Sequence, residues 1–397
     1  MKKLRKPVRY GIVGVGGMGG HHGRTIVKAA SKEFRLAAVA DIVPEIAQRV
    51  GAELGVPHFL SAQEMYDSGL IDAVIIATPH YMHPVLTIRA ARAGIHVLCE
   101  KPLAVTVGKA RAMIAECAKR KVALGGMLQQ RTRGVMVKMK QMVDAGKLGE
   151  VFRVSMICSN WYRTQAYYDS GAWRGTWDGE GGGILLNQAP HSLDLFQWIG
   201  GLPTRVTAVL KTRAHRIEVE NSANIICEYG DGKVGYIYAT TAELPGMEQL
   251  MICGDKGTLV AEDGKLRFGR LSMSVSEHLR RCKTRGADDI APPKCEWQDA
   301  PFNEKLDGRH VNVIRAFARH LLAGGPMVAS GAEAINELEI SNAAYLAGFT
   351  GKPVSLPVDA AAMERLVVKL EADRSTGRGG GLRKLAEREL KKLGVKA

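Results

Sequence analysis

Much of what this chain lacks is informative. No apolar run approaches the roughly 18 residues of a membrane span, so no membrane association is expected. The seven cysteines stand apart at positions 99, 117, 158, 227, 253, 282 and 295, with no Cys-x-x-Cys among them. An odd, scattered set argues against a disulfide framework or a zinc knuckle, and for a reducing compartment, here the cytoplasm. No metal site is expected. Aromatic residues are scarce, at 6%. No long low-complexity tract occurs and 46% of residues are apolar, so a globular protein is expected.

The net charge of +15 invites a nucleic-acid reading, yet no basic stripe interleaved with aromatics crosses the body of the chain. The first nine residues carry five positive charges, and the stretch from Arg374 carries a net six, so the termini hold most of the excess. Basic tails more often solubilise than read sequence, and no nucleic-acid partner is expected. The basic residues 1–6 are followed by no apolar core or cleavage site. They read as a short solvated tail before a strand.

A length of 397 residues suits about two domains. Residues 8–16 read as a buried strand ending in a glycine turn, with a helix from Met18. Gly14, Gly16 and Gly19 form G-x-G-x-x-G. The first glycine makes a tight turn, the second lets backbone approach a pyrophosphate, and the third lets helix pack on strand. The helix N-terminus then offers free N–H groups to phosphate. A second strand ends in Asp41, about 20 residues on, where a carboxylate accepts from ribose hydroxyls. A 2′-phosphate would face that charge, so NAD is preferred over NADP.

Strands and helices go on alternating, with strands ending at Thr78-Pro79 and at Glu100-Lys101-Pro102 and a last one near 121–125. This predicts a doubly wound parallel sheet over residues 1–127, with ligands outside the carboxyl ends of its strands. Cofactor contacts are expected from Gly14, Gly16, Met18, Gly19, Asp41, Thr78, Pro79, His83, Glu100 and Lys101.

Residues 128–360 read differently. Four of the five tryptophans lie between 161 and 198. Tyr162, Arg163, Trp173, Arg174 and Trp177 suit a polyhydroxylated ring, which needs a stacking face and many hydrogen bonds. The competing reading is a rigid loop packed at a subunit interface. Gly181-Gly182-Gly183 then runs into Asn187, His191 and Asp194, which share one face if the stretch is helical. Five strands over 205–261 predict a large, mainly antiparallel sheet. Residues 276–305 read as irregular, and helices follow at 312–322, 331–347 and 360–373. Residues 374–397 read as a basic tail, with Gly379-Gly380-Gly381 a flexible break. The tail itself is flexible or helical, with leucines at 382, 385, 390 and 393.

With Gly14-x-Gly16-x-x-Gly19, Thr78-Pro79, Glu100-Lys101-Pro102, Gly181-Gly182-Gly183 and His191-x-x-Asp194 in this order, the chain resembles the Gfo/Idh/MocA family. The resemblance covers about residues 8–360. It implies a Rossmann domain followed by an α/β domain with an open sheet. It also implies NAD(P)-dependent oxidation or reduction of sugars and cyclitols, and homodimers or homotetramers assembled through the C-terminal sheet. Its catalytic residues carry over to Lys101, Asn187 and His191, with Asn187 and His191 also touching substrate. The family's usual aspartate is Asn187 here, and an amide supplies no charge to an imidazolium. Asp194 is a possible electrostatic substitute, and Pro190 a possible kink.

The expected reaction is hydride transfer between NAD and a secondary alcohol of a sugar, cyclitol or sugar derivative, with His191 as base and Lys101 bonded to the oxygen. A redox-neutral, NAD-dependent glycosidase-type reaction and a non-catalytic dinucleotide sensor of the same fold remain open.

Overall fold

The computed structural model describes residues 4, 6–286, 290–374 and 377–395. Its first part alternates strand and helix. The elements are β1 (Val8–Val13), α1 (Met18–Ala29), β2 (Phe34–Ala40), α2 (Pro44–Leu54), β3 (His58–Phe59), α3 (Ala62–Asp67), β4 (Ala73–Ile76), α4 (Met82–Arg92), β5 (His96–Cys99), α5 (Val107–Arg120) and β6 (Leu124–Gly126). The strands form a parallel sheet in the order β3-β2-β1-β4-β5-β6. Every residue of β4 and β5 is buried, as a sheet covered by helices on both faces requires. Strand order reverses between β1 and β4, which opens a crevice at their carboxyl ends.

Next come a short 3₁₀ turn at Gln129–Thr132, α6 (Gly134–Asp144), β7 (Val151–Cys158), α7 (Gln165–Asp169) and α8 (Pro190–Gly200). A strand-rich stretch follows: β8 (Arg205–Lys211), β9 (Ser222–Glu228), β10 (Val234–Thr240), β11 (Glu248–Gly254), β12 (Gly257–Glu262), β13 (Lys265–Leu271), α9 (Val275–Arg281) and β14 (Cys295–Asp299). The chain closes with α10 (His310–Ala323), α11 (Gly331–Thr350), β15 (Val354–Ser355), α12 (Ala360–Arg374) and α13 (Leu382–Lys392). Nine strands make the second sheet, in the order β14-β13-β12-β11-β7-β10-β9-β8-β15. All its pairings are antiparallel except β7 with β10. Helices α8 and α11 cover one face, with Leu193, Phe196, Leu338 and Tyr345 buried. The other face leaves Val209, Ile226, Val234 and Trp297 exposed.

Three local expectations change. β13 goes unread, and α9 and β14 lie in the stretch read as irregular. Gly269 interrupts the apolar pattern of β13, and β14 is an edge strand with every residue exposed, so neither carries a clean alternation. Helix α8 begins only at Pro190, which occupies the first turn, where its missing N–H costs nothing. Pro190 therefore starts the helix and does not kink it. Asn187 lies in the turn before it, so Asn187, His191 and Asp194 do not share one helical face. Thr106 precedes α5, but its hydroxyl turns to Glu364 (2.5 Å), and Asn342 of α11 caps Val107 N–H instead (2.9 Å).

The basic tail folds back as α13 onto α4 of the same chain. Ala386 and Leu390 are buried, and Glu389 pairs with Arg89 at 2.5 Å. Arg383 pairs with Glu371 of α12 and with Glu387. The Asp178 carboxylate accepts from Gly381 N–H (2.5 Å) and Arg383 N–H (3.3 Å). The glycine turn before α13 is thus tied to the aromatic loop.

Candidate active site

At the crevice each glycine of the turn has its own role. Gly14 has φ +81°, and a Cβ there would lie 2.8 Å from the Ala77 carbonyl oxygen. A Cβ on Gly19 would come within 1.9 Å of the Gly14 carbonyl oxygen, so only glycine lets α1 sit this close to β1. A Cβ on Gly16 would meet nothing within 4 Å. The space over Gly16, beside the free N–H groups that open α1, is what a pyrophosphate requires. Met18 is 44% exposed at the same helix start. Asp41 accepts from Val15 N–H (2.9 Å) and Val43 N–H (3.0 Å), which anchors its carboxylate at the end of β2 with lone pairs left for ribose hydroxyls. The residues present fit a dinucleotide.

Thr78 and Pro79 follow β4 at the rim. His83 does not face the crevice: it is buried, with Nδ1 2.9 Å from the Pro102 carbonyl and Nε2 2.9 Å from the Thr78 carbonyl. It ties the two strand-end loops together, which corrects its expected cofactor contact. Glu100 is also committed. Its Oε1 lies 2.6 Å from His22 Nε2, and Oε2 accepts from Lys101 N–H at 3.1 Å. Burial would raise the Glu100 carboxyl, but the His22 bond and charge outweigh it and hold it at about 2. Glu100 is a buried anion locked to α1.

Lys101 leaves β5 toward the second domain, and its Nζ donates to the Asn187 carbonyl at 2.6 Å. Burial lowers its pKa, while Glu100, Glu337 and Glu180 oppose the shift. The Asn187 side chain donates to Glu180 and, at 3.4 Å, to the Tyr167 hydroxyl. Glu180 is buried and also accepts from Gly175 N–H at 2.7 Å. Burial raises its carboxyl to about 7 against the pull of those bonds. The sequence reading missed Glu180, although it immediately precedes the triple glycine. It sets a carboxyl next to the position where Asn187 lacks one.

His191, in the first turn of α8, is buried, with Nε2 3.1 Å from Gln129 Nε2 and Nδ1 buried without a partner. Burial, then the charge of Lys101, lowers its pKa to about 3. The ring is therefore neutral at ordinary pH. Gln129 was not foreseen either, though it follows the carboxyl end of β6, where the parallel-sheet rule looks for ligands. Asp194 faces away from Asn187. Its carboxylate takes both Arg131 Nη2 (2.6 Å) and Nε (2.8 Å), and each side chain is 1% exposed. Committed to Arg131, Asp194 is no substitute for the missing aspartate. Glu337 of α11 is buried with one oxygen unpartnered, and burial pushes its carboxyl well up.

The aromatic loop divides. Trp173 stands edge-on to His80, 6.0 Å between ring centres, and His80 Nδ1 lies 2.9 Å from the Glu180 carbonyl. Arg163, Arg174 and Tyr167 share this rim, and Tyr162 is 43% exposed at its margin. Trp177 belongs to the core instead. It is fully buried against Tyr345 (5.5 Å) and Phe349 (5.8 Å), and its carbonyl accepts from Tyr81. A ring with no free face cannot stack on a sugar, which corrects its expected substrate contact.

Comparison with known proteins agrees with this architecture. Residues 8–126 match the oxidoreductase family with an NAD-binding Rossmann fold, and residues 136–260 match the GFO/IDH/MocA C-terminal domain. The rhizopine catabolism protein MocA of Rhizobium meliloti is 31% identical over 234 residues, 58% of this chain and 70% of that protein. This chain belongs to the GFO/IDH/MocA family of NAD-binding oxidoreductases. Inositol 2-dehydrogenase of Rhizobium meliloti (strain 1021) is 24% identical over 343 residues, covering 85% of this chain and 96% of that enzyme. Among solved structures, the WlbA dehydrogenase of Bordetella pertussis, in complex with NADH and UDP-GlcNAcA, superposes with a TM-score of 0.74. It is 28% identical, over 89% of this chain and 100% of that one. Among the described residues no helix is long and apolar enough to cross a membrane, and no cluster of His, Cys, Asp or Glu is arranged to hold a metal ion.

Proposed function

We propose that this enzyme moves a hydride between NAD and a secondary alcohol of a sugar, cyclitol or sugar derivative. The observation carrying this is Lys101. An amine of lowered pKa sits at the carboxyl end of β5 and is fixed at 2.6 Å by the Asn187 carbonyl, across the crevice from the glycine turn. NAD, held by the glycine turn and Asp41, supplies the hydride acceptor or donor. Inositol 2-dehydrogenase and WlbA, similar over most of their length, support a sugar- or cyclitol-type substrate.

The electrostatics redistribute the expected roles. An imidazole whose conjugate acid lies near 3 is a poor resting place for a proton, so His191 orients the hydroxyl as a neutral group. Lys101 exchanges the hydroxyl proton and donates a hydrogen bond to the oxygen as charge develops there. Asn187 positions the amine through its carbonyl. Replacing Lys101 by Ala is expected to lower kcat about 100- to 1,000-fold while NAD affinity stays within about threefold. It also removes the limb of the pH–rate profile that Lys101 sets. A His191→Asn variant should keep that limb. If His191→Asn removes it and Lys101→Ala does not, the proton belongs to His191. The enzyme is further proposed to assemble as a homodimer or homotetramer through the uncovered sheet face carrying Val209, Ile226, Val234 and Trp297. Light scattering reads this directly.

A further inference from the structure

Resting on that reading of the site, we propose that the substrate carries an anionic substituent, a carboxylate or a phosphate, recognised by the guanidinium edges of Arg163 and Arg174. Both side chains lie in the aromatic loop, and both are stacked. Arg163 sits 5.4 Å from the Trp161 ring centre and 4.8 Å from that of Tyr167. Arg174 sits 4.4 Å from Tyr167 and 4.5 Å from Trp173. A guanidinium held over aromatic rings keeps N–H donors of its own, and two of them together can grip a carboxylate or phosphate.

Those edges are nearly unused. Arg163 donates from Nη1 to the Tyr162 carbonyl (3.1 Å), and Arg174 from Nη1 to the Tyr167 hydroxyl (2.6 Å). Arg163 Nε is buried with no partner. Neither guanidinium forms an ion pair with an acid among the described residues, and the neighbouring acids are engaged elsewhere. Asp169 lies 3.7 Å from Arg378 and takes Gln165 Nε2, while Glu180 takes Gly175 N–H and Asn187. Glu180 acts on Arg174 only at a distance, through its charge, and its oxygens are bonded elsewhere. An anion arriving with the substrate would be the first acid in direct contact with either guanidinium.

The arginines are also placed to serve the reacting end. The Tyr167 hydroxyl binds Arg174, Asn187 Nδ2 (3.4 Å) and Gln188 Nε2 (3.2 Å), and the Asn187 carbonyl holds Lys101 Nζ. One phenol and one amide therefore separate Arg174 from the amine. An acid group a few bonds from the reacting hydroxyl spans that gap, as on a uronic acid or a sugar phosphate. A neutral polyol leaves both edges empty.

The test is to titrate the NADH-loaded protein, followed by calorimetry, with matched sets of ligand: glucose, glucuronate and glucose 6-phosphate, and galactose, galacturonate and galactose 6-phosphate. At least one anion should bind about 30-fold more tightly than its neutral parent. Arg163→Met and Arg174→Met should each reduce that preference to within about threefold, with NADH affinity and Tm unchanged. The better of the two anions tells carboxylate from phosphate. Equal binding of every anion and its neutral parent overturns the proposal, as does a preference that survives both substitutions. Oxidation of neutral sugars without any anion preference defeats this inference alone. Absence of NADH binding defeats the underlying reading with it.

Discussion

Glu180 offers a test in which the sign and the size both follow from the structure. Its carboxyl is buried, bonded to Gly175 N–H and Asn187, and raised from 4.5 to about 7. A carboxyl whose pKa is raised on folding binds more protons in the native state than in the unfolded one. It is least costly below about pH 4.5 and becomes a burden as pH climbs toward 7. A shift of that size corresponds to about 3 kcal/mol, of which about 2.5 develops between pH 5 and pH 8. Glu180→Gln removes the ionisation and keeps the shape. The Asn187 amide can turn over to present its oxygen to the new amide, so the remaining penalty is similar at both pH values. Urea denaturation of both proteins at pH 5 and pH 8 is the assay. The variant should gain about 2 to 3 kcal/mol relative to wild type on going from the lower to the higher pH. Parallel pH dependence would mean that Glu180 is an ordinary carboxylate, and the electrostatic account around Asn187 would fail.

Other expectations are independent of that one. Arg131→Met strands the Asp194 carboxylate in a site where each side chain is 1% exposed, and should cost about 3 to 5 kcal/mol in the same denaturation assay. The double change Arg131→Met with Asp194→Leu should recover most of that loss. Gly19→Ala should destabilise strongly, because the new methyl meets the Gly14 carbonyl at 1.9 Å. Gly16→Ala should leave Tm unchanged, since nothing lies within 4 Å, and weaken NAD binding about tenfold or more, measured by calorimetry.

The nucleotide-binding half was legible because its signals are local. Glycine spacing, apolar strands buried on both faces and the residues at strand ends all follow from backbone rules, and they predicted the parallel sheet that the structure has. The five strands over 205–261 were legible for the same reason, through alternation. What escaped reading depends on contacts distant in sequence. His83 looked like a rim residue until Pro102 and Thr78 closed on its ring. Trp177 looked like a stacking surface until Tyr345 and Phe349, more than 160 residues away, covered it. Glu180 and Gln129 carry no motif of their own and acquire meaning only beside Asn187 and His191. The tail's leucine spacing allowed a helix without settling it, and its docking on α4 rests on Glu389 meeting Arg89 and Asp178 accepting from Gly381 N–H.

The central claim is tested most directly by supplying the purified enzyme with NAD and a panel of sugars, cyclitols, uronic acids and sugar phosphates, and following absorbance at the reduced-nicotinamide band. The account predicts NADH formation with at least one secondary alcohol in the panel, and loss of that signal in Lys101→Ala. An enzyme that binds NAD yet forms no NADH with any member, or a Lys101→Ala variant that turns over like wild type, would contradict it.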